Sequence, residues 1–131
     1  MNENRDSRKR LEWMGDSRKR LAEFPQGVRE EIGYALYLAE WGETHPSAKP
    51  MKGINAVEIV SDAGTMGTFR GVYTTSFERT VYVLHCFQKK SKRGIETPKS
   101  DLDLIKKRLR DAERHHQDVK KNETKNRPRA Q

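Results

Sequence analysis

The chain has 131 residues, 33% of them hydrophobic and 35% charged, enough for one domain with a modest core but too polar for every segment to be packed. A single cysteine, Cys86, excludes an intramolecular disulfide, and no run approaches the roughly 18 apolar residues that span a membrane. The formal charge of +8 is lopsided, with 12 Lys+Arg against 12 Asp+Glu in residues 1–87 and 15 against 7 in residues 88–131.

An excess confined to the last third implies either a nucleic-acid partner or a solvated basic tail. Residues 2–10 are charged and no apolar stretch follows, so no secretory signal is expected and the expected location is the cytoplasm. The hexapeptide DSRKRL occurs at residues 6–11 and again at 16–21. An offset of ten residues turns a helix through roughly 1000°, so the copies lie on different faces and form no solenoid repeat. Residues 1–13 read as an N-terminal extension, with Met14 an alternative start to Met1, residues 14–114 as the domain, and residues 115–131 as a basic, disordered tail.

Asp16 and Ser17 are suited to cap a short helix that Pro25 stops near Phe24. A second helix is expected from about Gln26 to Trp41. Val28, Ile32, Ala35, Leu36 and Ala39 make one apolar stripe, and Tyr34, Leu38 and Trp41 make another beside it, which predicts packing on two sides. After a loop with Pro46 and Pro50, three β segments follow at residues 56–61, 67–75 and 80–88, joined by connections short enough for hairpins. Ser100 with Asp103 resembles a capping box, and Leu102, Ile105, Leu109 and Ala112 mark one face of a last helix whose other faces carry Lys106, Lys107, Arg108 and Arg110. The predicted class is α+β: two N-terminal helices, a three- to four-stranded antiparallel sheet and a C-terminal helix, with one sheet face left accessible.

Chemistry is expected on that face. Arg70 stands mid-strand between Phe69 and Gly71, where it can offer a fork of donors to a phosphate or pair with a carboxylate such as Glu58. His85 lies in the third β segment, either as a satisfied core residue or as an acid or base; in an unbroken strand it shares a face with Phe87 and Lys89. Lys89, Lys90, Lys92 and Arg93 form a solvated run, a phosphate-binding patch, or a patch in which crowding depresses one lysine enough to make it a base. The last possibility fits RNA cleavage, which needs a base for the 2′-hydroxyl, cations around the phosphorane and an acid for the leaving 5′-oxygen. The four histidines lack metal-ligand spacing, and no cofactor motif occurs, so neither metal nor cofactor is expected.

The run FPQGVREEIGYALYLAEWGETHPSAKPMKG, the strand TFRGVY and the segment VYVLHCFQKKSKRGIETPKSDLDLIKKRL resemble the Gp49-like proteins of phage and bacteria, a branch of the RelE/HigB toxin superfamily. The resemblance spans Trp13 to about Ala112, and its most specific part is F-x-K-K-(S/T)-x-x-x-x-x-T-P at residues 87–98. It implies a small α+β ribonuclease that enters the ribosomal decoding site, cuts messenger RNA and is neutralised by a cognate antitoxin, often one with a helix-turn-helix domain. By the same resemblance Arg70 contacts the scissile phosphate, Lys89, Lys90 and Lys92 supply the base or charge stabilisation, and His85 occupies a position whose role varies. Arg93, Lys106, Lys107 and Arg110 are then candidate contacts to RNA. Val60 departs from the pattern, since many similar sequences place an arginine there, so cleavage preference or activity is open to change. The competing expectation is a non-catalytic RNA or DNA binder acting with a partner in regulation; a purely protein-binding role leaves the charge asymmetry unexplained.

Overall fold

The computed structural model describes residues 7–89 and 97–126. The elements in chain order are β1 (Arg10–Trp13), α1 (Ser17–Ala22), α2 (Gln26–Glu40), β2 (Ala48–Pro50), β3 (Val57–Asp62), a 3-10 turn (Gly64–Met66), β4 (Thr68–Thr74), β5 (Thr80–Lys89) and α3 (Lys99–Asn126). The α+β class with a C-terminal helix is as expected. The sheet has five strands in the order β1-β5-β4-β3-β2, antiparallel except where β1 runs parallel to β5.

The β1 strand comes from the segment taken for an extension. Leu11 and Trp13 pack against the core, and Arg10–Trp13 pair with Thr80–Val83, so the first copy of the hexapeptide contributes an edge strand that covers one side of β5. That gives β5 a neighbour on both sides, and Thr80–Phe87 is buried throughout. Val81, Val83 and Cys86 join Val28, Ile32, Ala35, Leu36 and Ala39 of α2 in one core layer. Tyr82, Leu84 and Phe87 join Ile105 and Ala112 of α3 in the other. Helices therefore cover both faces of the sheet, and the face expected to stay open lies partly under α3.

Three further expectations are corrected. Tyr34 of the second α2 stripe is 53% exposed and Leu38 and Trp41 are half-buried, so that stripe joins no core layer; the stripe through Ile32 alone meets the sheet, which lies on one side of the helix. The last helix does not end near His115 but continues to Asn126. The apolar pattern gives out there, but Tyr82 Oη lies 2.8 Å from His115 Nδ1, Phe77 packs on the His116 ring at 4.7 Å, and Arg79 pairs with Glu123 at 3.5 Å, which hold the extra turns against the sheet's end. The helix also begins one residue before the supposed capping serine, with Leu102 N–H donating to Pro98 O at 3.0 Å. No helix among the described residues is long and apolar enough to cross a membrane.

Gly71 lets α2 approach β4 closely. A Cβ there would lie 2.9 Å from Ile32 Cγ2, inside a core where Ile32 and Ile59 are both fully buried. Gly71→Val is expected to destabilise the fold by about 1–3 kcal/mol through overpacking, whereas Tyr34→Ala should stay within about 0.5 kcal/mol of the parent. Urea unfolding of both variants checks this contrast.

Candidate functional site

The β4–β5 ladder contains an irregularity that arranges the site. Val72 pairs with His85 and Tyr73 with Val83, leaving Leu84 without a partner on β4. Such a bulge shifts the alternation of side chains by one. Val81 and Val83 before it and Cys86 after it all face α2, while Leu84, His85 and Phe87 all face α3. Cys86 therefore does not share a face with Tyr82 and Leu84, as it would in an unbroken strand. The grouping of His85 with Phe87 holds, their rings stacked at 4.7 Å and 16°.

Arg70 belongs to this α3-facing side, paired across the ladders with Phe87 and with Val60. It is 4% exposed and meets Glu58 of β3, with one terminal nitrogen, Nη1, 3.1 Å and 3.0 Å from the two carboxylate oxygens and 3.5 Å from Thr97 Oγ1. The structure thus realises the carboxylate pairing that the sequence left open. Lys89, half-buried at the end of β5, pairs with Thr68 and so lies one pair beyond Gln88 and Phe69 on the same ladder. Lys90, Lys92 and Arg93 lie outside the described residues. Lys106 and Arg110 are exposed on α3, and Lys107, also exposed, bonds Asp111 one turn on at 3.0 Å.

His85 is 1% exposed and both ring nitrogens are engaged. Arg108 Nη1 lies 3.4 Å from Nδ1, and an arginine can only donate, so Nδ1 is the acceptor. The proton is then on Nε2, which donates to Asp101 Oδ1 at 2.7 Å. Arg108 is turned inward, contrary to its place on the expected basic face. Its Nη1 also donates to the carbonyl of the bulged Leu84 at 2.9 Å, and its Nη2 to Asp16 Oδ1 at 2.8 Å. Asp16 in turn accepts from Arg20 Nε at 2.8 Å, so although it stands at the N-cap position of α1 its side chain makes no capping bond and instead joins α1 to α3. Arg20 and then Arg108 hold its carboxyl well below the usual carboxylate range.

Burial depresses the His85 pKa from its ordinary value, outweighing the opposing pull of Asp101, and Arg108 and Arg20 add to the depression. Burial also pushes the Cys86 thiol up to about 12, which leaves it an inert core residue at neutral pH. Among the described residues, no group of three or more His, Cys, Asp or Glu is placed to hold a metal ion. Asp101, Arg108 and Glu58 are the participants the sequence did not single out as a set. The nearest signal was the one-turn spacing that puts Asp101, Ile105 and Arg108 on one side of α3.

Residues 19–110 match the family model described as Phage derived protein Gp49-like (DUF891), a family of the RelE/HigB-like toxin superfamily. No curated protein matches the chain.

Because the folded His85 binds its proton less readily than the unfolded one, the unfolded state takes up more protons as pH falls, and stability rises with pH. The contribution is present above the ordinary value of 6.5 and is lost as pH drops through the depressed folded value. Urea midpoints measured from pH 7.5 to 5 are expected to fall less steeply for His85→Gln than for the parent; equal slopes would remove His85 from this role.

Proposed function

The chain belongs to the Gp49-like family, and from that membership we propose that it is the toxin of a toxin-antitoxin pair, a ribosome-dependent, metal-independent endoribonuclease that cleaves messenger RNA. The observation that carries this reading is the convergence of Arg70, His85, Phe87 and Lys89 on one side of the sheet, beneath a helix whose outward positions include Lys106, Lys107 and Arg110. In this reading the scissile phosphate competes with Glu58 for Arg70. A guanidinium that leaves one carboxylate for a phosphorane meets a larger charge, and its interaction strengthens as that charge develops.

A lysine among Lys89, Lys90 and Lys92 takes the 2′-hydroxyl proton or offsets phosphorane charge. Glu58, left without Arg70 once the phosphate is bound, is a second acceptor for that proton. O2′ then bonds phosphorus, the 5′-oxygen departs with a proton, and the upstream fragment ends in a 2′,3′-cyclic phosphate. Both His85 nitrogens are occupied by protein groups, so its part is that of a positioning residue, which keeps α3 and Phe87 in place beside Arg70. Arg93, Lys106, Lys107 and Arg110 hold ribosomal RNA, and the natural partner is a cognate antitoxin, often of helix-turn-helix type in similar systems.

The burial of Arg70 against Glu58 favours one competing reading, a nucleic-acid binder without cleavage. Induction in growing cells separates the two. The toxin reading predicts growth arrest with new message ends in primer extension, abolished by Arg70→Ala and reduced at least about 100-fold in cleavage rate by Arg70→Lys. Circular dichroism and urea unfolding of Arg70→Lys check that its loss is not a loss of fold. Arrest that persisted in Arg70→Ala would remove Arg70 from the mechanism, and intact messages beside steeply salt-dependent nucleic-acid binding would establish the binder.

A further inference from the structure

A groove of about 710 Å³ opens where β4 begins, β5 ends and α3 starts. Its lining is aromatic. Phe69 from the α2-facing layer and Phe87 from the α3-facing layer, 5% and 3% exposed, reach it from the two faces of the sheet, and Phe24, half-buried at the α1–α2 junction, tilts against Phe69 at 4.8 Å. Met66 projects along one wall with 57% of its surface exposed, although it packs in neither core layer. A ring-shaped apolar group is the natural complement of such a lining.

The polar groups around it are mostly acceptors. Gln88 uses its Nε2 to donate to Met66 O at 3.0 Å, and among the described residues nothing donates to its Oε1. Asp101 accepts from His85 through Oδ1, and among the described residues nothing donates to its Oδ2. Glu23 adds a further carboxylate, while the one lining guanidinium, Arg20, commits its Nε to Asp16. Two carboxylates against one partly engaged arginine disfavour a phosphate in the groove. A cationic peptide side chain fits the acceptors, but the chain's charge of +8 repels a basic partner and draws a polyanion.

We propose that this groove receives a nucleobase of single-stranded RNA, stacked on Phe24 and presenting an amino-bearing edge to Gln88 Oε1 and Asp101 Oδ2. Adenine, cytosine and guanine carry an exocyclic amine with two hydrogens, one for each acceptor, whereas uracil offers only its N3–H, set between two carbonyl oxygens that such acceptors repel. The groove thus discriminates against uridine at one position of the bound strand. This rests on the reading of RNA as the partner, and it adds to that reading a residue-level source of sequence preference.

The test is equilibrium binding of fluorescein-labelled r(A)8, r(C)8 and r(U)8 to the full chain at low salt, with a labelled octalysine peptide as the competing class. Wild type is expected to bind r(A)8 and r(C)8 about tenfold more tightly than r(U)8. Gln88→Leu, at an exposed position, should bring that ratio close to one with r(U)8 binding unchanged. Phe24→Leu should weaken all three, because stacking is shared by every base. Equal affinities in wild type, or a preference that survives both variants, would overturn the groove's role. So would octalysine binding more tightly than r(A)8 and being lost in Phe24→Leu. No binding to any of the three RNAs would instead remove the RNA reading itself. Base preference without message cleavage in cells would keep the groove and remove the ribonuclease.

Discussion

At Val72 and Tyr73 the β4–β5 ladder skips one residue, and the consequences reach most of the molecule. In a regular pair His85 would share the face of Val81 and Val83 and would point into the apolar layer beneath α2. The bulge turns it to the opposite side, where an imidazole finds polar partners, and returns Cys86 to the apolar layer in its place. A buried ring with two unmet nitrogens would cost free energy on the order of a few kcal/mol. The bulge removes that cost and leaves Leu84 with no partner on β4.

Arg108 connects the bulge to the rest of the fold. It takes the Leu84 carbonyl, the unprotonated nitrogen of His85 and a carboxylate oxygen of Asp16, and Asp16 holds Arg20 in turn. Asp101, one helical turn before Ile105, closes the set on His85. The start of α3 is therefore held to β5 by hydrogen bonds, while Ile105 and Ala112, further along, pack in the apolar layer. Thr97, just ahead of the helix, reaches Arg70 at 3.5 Å. The same docking that orders α3 thus forms one wall of the Arg70 environment, with Glu58 on β3 forming another. Rigidity of this kind is what a charge-stabilising site requires.

Much of this was legible in the chain. The stripe from Val28 to Ala39, the three β segments and the face of Ile105, Leu109 and Ala112 follow from period and composition, and the structure contains them. The sharing of one face by His85 and Phe87 follows from alternation, whereas the meeting of Arg70 with them rests on the β4–β5 register, which the sequence does not carry. The bulge was not legible, because Leu84–His85 contains neither glycine nor any other local signal, and its cause is the tertiary placement of one histidine. The inward turn of Arg108 was hidden for a related reason: its partners come from β5 and from residue 16, far apart in sequence. The edge strand β1 went unread because a four-residue strand in a charged segment has no periodicity to detect, and pairing with β5 supplies what composition does not. The solvent-facing Tyr34 reads as core for the opposite reason, since periodicity reports a stripe without reporting whether anything covers it.

The central claim is that the side of the sheet bearing Arg70 carries out ribosome-dependent cleavage of messenger RNA. It is tested most directly by adding the purified protein to a reconstituted translation system programmed with a single message and mapping the fragment ends. The account predicts new ends within the translated region, upstream fragments bearing a 2′,3′-cyclic phosphate, and no cleavage when ribosomes are omitted or Arg70→Ala is used. An intact message, or the same cuts with naked RNA or with Arg70→Ala, would contradict it.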